Sequence, residues 1–260
     1  MSIWYRLSRL YWFFSVQFGV DPKSMFRFFC GLPRYIRDLI RFRSGYFGRL
    51  EIMPCLHDRY GEGGMINNEY FWQDLLVAKM IFKAKPVRHV DIGSRVDGFV
   101  SHIASFREIE VFDVRPIMAQ IPGVIFRQAD LMKPLEGMNG YCDSLSCLHA
   151  LEHFGLGRYG DLINPKGFED ALANMACLLK ENGVFYLSVP IGIDRVEFNA
   201  NRVFNHQIII NLANQNSLKL TKVMVIKQGG RVEEFAPDES QLNVLSNQRY
   251  TLVIFIFLKR

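Results

Sequence analysis

No apolar run in the chain approaches the ~20 residues that a membrane-spanning helix needs; the run from Leu10 to Val16 falls far short. Tryptophan interrupts this stretch, arginine stands just before it, and no small-residue cleavage pattern follows, so a cleaved signal peptide is not expected. Cysteine is sparse and odd in number, with five at Cys30, Cys55, Cys142, Cys147 and Cys177. They lie mostly in apolar segments and form no Cys-x-x-Cys pair. That excludes a disulfide framework and a spaced Cys/His metal site, and predicts reduced thiols in a cytoplasmic protein with no bound metal. There is no internal repeat and no low-complexity tract.

Two phosphate-binding patterns are also missing. Gly93 to Gly98 does not spell Gly-x-Gly-x-x-Gly, because Arg95 stands in the second glycine's place, and no Gly-Lys-Ser/Thr ending follows. What is present is Val90-Asp91-Ile92-Gly93-Ser94-Arg95-Val96-Asp97-Gly98: an apolar strand, an acid, a glycine turn, then Phe99, Ile103 and Phe106 at helical spacing. Amides at the start of such a helix point at a ligand. Asp97 is placed to cap that helix. The bland alternative is an ordinary strand-turn-helix without a ligand.

Glu110 to Asp113 reads as a second strand ending in an acid, about 20 residues after the glycine turn, where a ribose-binding carboxylate is expected. Val124 to Ala129 makes a third strand, ending at Asp130. Asp143 to Leu148 is a fourth, followed by His149-Ala150-Leu151-Glu152-His153, and Val184 to Val189 a fifth, preceded by a helix-and-turn signal over Leu178 to Gly183. Strands alternating with helices predict a parallel sheet covered on both faces, with ligands outside the carboxyl ends of its strands.

In this order the motifs resemble those of class I S-adenosylmethionine-dependent methyltransferases, over roughly Asn68 to Arg260. The carrying residues are Asp91-Ile92-Gly93-Ser94 with Asp97-Gly98, the Asp113 strand end, Ala129-Asp130-Leu131, Asp143 through Glu152-His153, and Leu179 to Gly183 before a strand. Within that superfamily, Pro54-Cys55-Leu56-His57-Asp58 and Tyr70-Phe71-Trp72-Gln73-Asp74-Leu75 are similar to a bacterial family of unknown function, which implies no substrate. The fold implied is a Rossmann-like α/β sheet, mostly parallel. The apolar runs Leu218 to Lys227 and Tyr250 to Leu258 would form its closing antiparallel pair, with the last strand inserted. The polar segment between them contains Gly229-Gly230 and Pro237, and a helical region is expected over Val203 to Leu212.

The resemblance implies S-adenosylmethionine as cofactor, held by Asp91, Gly93, Ser94, Arg95, Asp97, Gly98, Asp113, Asp130 and Leu131. Asp113 would take the ribose hydroxyls, against a bland role in capping the turn before Pro116. Asp130 would accept from the adenine amino group, against capping its own turn. Arg95 either pairs with the cofactor carboxylate, which its planar fork suits, or aims away from or obstructs the pocket. The last case leaves open a non-catalytic nucleoside- or protein-binding module on a degenerate fold. His149 or His153 could deprotonate a hydroxyl acceptor near neutral pH, with a neighbouring carboxylate as orienter, although Leu-Glu-His recurs in the superfamily with different acceptors. The polar segment Asp194 to His206, with Arg202, is the expected acceptor site, against a solvated loop entering a helix. The acceptor class expected is a small molecule or a saccharide, free or lipid-linked.

Charge divides the chain unevenly. Residues 1–49 carry nine basic side chains and two acids, a surplus of +7 against +5 for the whole chain. Trp4, Leu7, Tyr11, Phe14 and Phe18 form a helical stripe within them. Two domains are expected: a basic aromatic helical extension over 1–49 and a methyltransferase-like domain over 50–260. The extension either packs on the fold or a second copy, or lies on the inner face of a membrane. No recognised nucleic-acid motif accompanies its arginines, so nucleic acid is not the expected partner.

Overall fold

A computed structural model describes residues 3–56, 69–227 and 230–260. His57, Asp58, Asn68 and Gly229, named above, lie outside them, as does the side chain of Trp4. The chain divides into two compact units, Met1–Met65 and Ile66–Arg260.

The first unit holds the helical extension, α1 (Ile3–Phe18) and α2 (Pro22–Arg43). Asp21 starts the second helix: its carboxylate accepts from the Lys23 amide at 3.0 Å, with Pro22 supplying a first helical residue that needs no N–H partner. The Tyr11 hydroxyl donates to the same carboxylate at 2.6 Å and ties the helices together.

The second unit is an eight-stranded sheet in the order β3-β2-β1-β4-β5-β10-β8-β9. β1 (His89–Ile92), β2 (Ile109–Asp113), β3 (Val124–Gln128), β4 (Cys142–Leu148) and β5 (Leu179–Ile191) run parallel. β10 (Thr251–Lys259) is inserted antiparallel between β5 and β8 (Leu218–Ile226), and β9 (Val232–Phe235) closes the edge. Along β10 the two-residue period sends Val253, Phe255 and Phe257 into one core and Leu252, Ile254 and Ile256 into the other. α5 (Gly167–Leu178), α6 (His206–Gln215) and α7 (Glu239–Ser246) cover the first core; α3 (Glu69–Ala84) and α4 (Ser101–Ala104) cover the second.

Five local expectations are corrected. The helix after the glycine turn is a π-turn over Val96–Val100 and one α turn, because Gly98 departs from helical geometry (φ −125°, ψ −109°). Its departure leaves room for Asp74, whose Oδ2 would lie 2.6 Å from a Cβ added at Gly98. Asp97 caps nothing there and pairs with Arg95 instead. The turn signal at Lys180 to Gly183 lies inside β5: the register moves from Cys142↔Leu179 to Ser144↔Val184, and the surplus residues bulge into solvent with Asn182 at φ 63°. α6 starts at His206 rather than Val203, because the Asn205 side chain caps it by accepting from the Gln207 amide at 2.9 Å. Asp194 to His206 is neither loop nor helix for most of its length but a hairpin of β6 (Arg195–Glu197) and β7 (Asn201–Val203).

Candidate active site

A cavity of about 280 Å³ opens at the carboxyl ends of the parallel strands. Gly93 follows β1, Asp113 ends β2, Asp130 and Leu131 follow β3, His149 follows β4 and Pro190 lies near the end of β5, and all of them line it. Gly93 holds φ +70°, and a Cβ there would stand 3.1 Å from that of Ala150, so both conformation and space call for glycine.

Under the cavity runs a buried polar chain. Asp91 is fully buried and accepts from the Ser94 amide (3.0 Å), the Ser94 hydroxyl (2.7 Å) and the Ser146 hydroxyl (2.5 Å). Burial pushes its carboxyl up to about 6, against the pull of those three donors. Since Ser146 gives its proton to Asp91, His89 Nε2, 3.2 Å away, is the donor to Ser146, and Nδ1 accepts from Ser144 at 2.8 Å. Burial drives the His89 imidazole down to about 3. Asp91 thus shapes the glycine turn from beneath and does not line the cavity, and neither do Asp97 or Gly98.

The wall above β1 and β2 carries Arg95 and Asp113. The Arg95 guanidinium pairs with Asp97 through two hydrogen bonds, of 3.0 and 2.7 Å, and its side chain is 60% exposed. Both Asp113 oxygens are engaged by Arg115, through its amide (2.8 Å), Nε (3.1 Å) and guanidinium nitrogen (2.8 Å). The Arg115 guanidinium also lies 4.3 Å from the centre of the Tyr159 ring. Asp130 accepts from the Met132 amide at 3.0 Å, so it caps its own turn while lining the cavity.

The densest chemistry surrounds His149. It takes a left-handed backbone (φ 53°), uncommon for a side chain with a Cβ, and its amide donates to Ser188 O at 3.0 Å. Nδ1 donates to Glu152 Oε1 at 2.6 Å, the Tyr70 ring lies 4.5 Å from the imidazole, and Glu69 Oε1 approaches Nε2 to 3.7 Å. Nε2 and Glu152 Oε2 are both buried without a hydrogen-bond partner. Burial disfavours the imidazolium, but the Glu152, Glu69 and Asp74 carboxylates outweigh it and raise the histidine above its ordinary value. Burial likewise opposes ionisation of Glu152, and the two histidines outweigh it and hold that carboxyl below its usual range. Such a dyad can orient an imidazole toward a ligand proton and stabilise the charge that results.

His153 is placed differently. Its Nδ1 donates to Ala200 O at 2.7 Å, and desolvation lowers its basicity. It lines the cavity but also ties the loop after β4 to the β6–β7 hairpin. Arg202 is buried and does not line the cavity; it donates to Glu152 O (3.3 Å), Phe154 O (2.6 Å) and Pro165 O (3.3 Å). From Asp194 to His206 only Asn201 lines the cavity, and His206 is buried between Ser246 (2.6 Å) and Glu239 (3.2 Å), joining α6 to α7.

Several lining residues were not expected at the site: Arg115, Arg158, Tyr159, Asp161 and Tyr250, with Tyr70, Gln73 and Asp74 of α3, which counted only as part of a family motif. The last three sit at i, i+3 and i+4, a polar patch on one face of an otherwise apolar helix, and that spacing was the available signal. Gln73 donates to Asp74 at 3.0 Å and accepts from Ser188, while burial raises Asp74 above the usual carboxylate range. Among the described residues no cluster of His, Cys, Asp and Glu is arranged to hold a metal ion.

This sheet order, with the last strand inserted, is the Rossmann-like fold of class I methyltransferases. The Burkholderia thailandensis 1,6-didemethyltoxoflavin N1-methyltransferase, solved with S-adenosylhomocysteine, is 14% identical over 72% of this chain and 78% of its own, with a TM-score of 0.51. A SAM-dependent methyltransferase from Thermotoga maritima is 16% identical over 73% and 89%, at 0.50. The [4+2]-cyclase SpnF, 11% identical over 72% and 81%, at 0.51, carries a different activity on a similar frame, so the likeness fixes the fold alone. No curated protein matches the chain. The chain belongs to the family described as Caenorhabditis protein of unknown function, DUF268, whose model matches residues 122–254, just over half of it. That description names Caenorhabditis, where the sequence resemblance pointed to a bacterial family.

Proposed function

We propose that the cavity binds S-adenosylmethionine and that the protein transfers its methyl group to a hydroxyl acceptor. The observation that carries this reading is the convergence of Gly93, Asp113 and Asp130 on one cavity with His149, whose Nε2 is buried without a hydrogen-bond partner. The residues suit the cofactor in kind: a glycine turn without Cβ for close backbone approach, the Asp113 carboxylate for a ribose diol, and Asp130 with Leu131 for an adenine edge and face. When bound, the cofactor supplies a methyl group already activated as a sulfonium.

The remaining work falls to positioning and one proton. Glu152 fixes the Nδ1–H tautomer of neutral His149, so Nε2 presents its lone pair to the acceptor hydroxyl and takes its proton as the oxygen attacks. The imidazolium that forms is stabilised by Glu152 at 2.6 Å. Glu152 Oε2 and neutral His149 Nε2 are both acceptors, so the fitting ligand brings donors. A saccharide hydroxyl, free or lipid-linked, has that chemistry, with the Tyr70 ring beside it.

Arg115 favours a second reading. It occupies both Asp113 oxygens, and a frame in which it stays there would serve as a non-catalytic nucleoside- or protein-binding module. Calorimetric titration with S-adenosylmethionine and S-adenosylhomocysteine separates the two. Saturable binding of both supports the enzyme, whereas no binding by the wild type or by Arg115→Ala supports the module.

A further inference from the structure

The first unit exposes more apolar surface than a water-facing unit keeps. On α1, Leu7, Leu10, Trp12, Phe13, Phe14, Val16 and Phe18 are all exposed. On α2 the side chains sort into three faces. Phe28, Leu32, Tyr35 and Leu39 are half-buried; Met25, Phe29, Ile36 and Ile40 form a second stripe and stand 54%, 64%, 47% and 66% exposed; Lys23, Arg27, Arg34 and Arg41 form a third, on which Arg34 is half-buried beside Asp38 at 3.8 Å. A contiguous exposed apolar stripe bordered by cations marks a surface that something covers.

We infer that α2 lies in the plane of an anionic membrane surface, with the Met25-Phe29-Ile36-Ile40 stripe in the acyl boundary and the arginines reaching the headgroups. Length, Arg-rich polar face and aromatic apolar face are those of an interfacial helix, whose long cationic side chains snorkel. Charge selects this occupant over the others. Residues 1–49 carry nine basic side chains against two acidic, so a second copy would bring two strongly cationic segments together. Residues 66–260 carry equal numbers of acidic and basic side chains and offer the helix no net attraction. An anionic lipid surface offers both an apolar layer and the opposite charge. No helix among the described residues is long and apolar enough to cross a membrane, so the contact is to one face.

The test is co-sedimentation of the full chain with phosphatidylcholine vesicles, with and without phosphatidylglycerol, at low and high salt. Binding is expected only with phosphatidylglycerol, falling as salt rises. Arg27→Gln/Arg34→Gln/Arg41→Gln should weaken it about a hundredfold, at about fivefold per cation. Phe29→Asp/Ile40→Asp should abolish it, while Arg34→Lys retains it; circular dichroism of each variant checks that the helices persist. Equal pelleting with neutral vesicles, full binding by the Asp variant, or a dimer in light scattering that the Asp variant breaks would overturn the inference.

Discussion

His149 faces two carboxylates across one ring, and its chemistry depends on which nitrogen each reaches. Glu152 holds Nδ1, so replacing the ring should remove the proton acceptor and leave the cofactor subsite standing. His149→Ala is expected to lower turnover by about a hundredfold or more with S-adenosylhomocysteine affinity unchanged, measured once an acceptor is in hand. The carboxylates raise the pKa of His149, so the neutral, basic form accumulates only as pH climbs past that raised value. The rate should rise with pH on that limb, and Glu152→Gln should move the limb to lower pH. His89 gives a stability signature of opposite origin. Its folded pKa of about 3 lies below its ordinary 6.5, so the stability its burial carries is present above 6.5 and drains away as pH falls toward 3. At about 1.4 kcal/mol per unit, the loss is on the order of a few kcal/mol, and His89→Gln should flatten that acid limb in denaturant titrations. A variant as acid-sensitive as the wild type would place the loss on another group.

Among the elements, the hairpin β6–β7 was the least legible. Its polar sequence announced an acceptor site, but the polarity serves to stitch backbone: Arg202 satisfies three carbonyls of the preceding loop from a buried position. Arg202→Met should therefore cost about 2–3 kcal/mol, by leaving buried carbonyls without donors. It should lower the melting temperature while sparing kcat at permissive temperature; an unchanged Tm with lost turnover would return Arg202 to the chemistry. The strands β1, β2 and β4 were legible because parallel strands buried on both faces read as short apolar runs, and the half-exposed edge strand β3 because it too opens on apolar residues; all four begin and end within a residue of those runs. The site was legible only where a residue's place follows from a strand end, as for Asp113, Asp130 and His149. Arg115 and Tyr159 meet across loops, and no local pattern encodes that meeting. Nor did β9 and α7 stand out, since their segment has few apolar residues; the Asp238 side chain, which accepts from the Ser240 amide at 2.8 Å, caps α7.

In the whole molecule the cavity belongs to residues 66–260 and the proposed membrane contact to the first unit. We propose, with the expected division near residue 50, that the two parts fold separately. A fragment starting at Leu50 should unfold cooperatively and bind S-adenosylhomocysteine as the full chain does, and an insoluble fragment would make the extension part of the fold. The most direct measurement of the central claim is calorimetric titration of the full chain and its Asp113→Ala variant with S-adenosylhomocysteine. Saturable one-site binding by the wild type is expected, with a loss of about 1.5–3 kcal/mol in the variant, the worth of hydrogen bonds to a charged carboxylate. Equal affinity in the two proteins, or no binding by either, would contradict it.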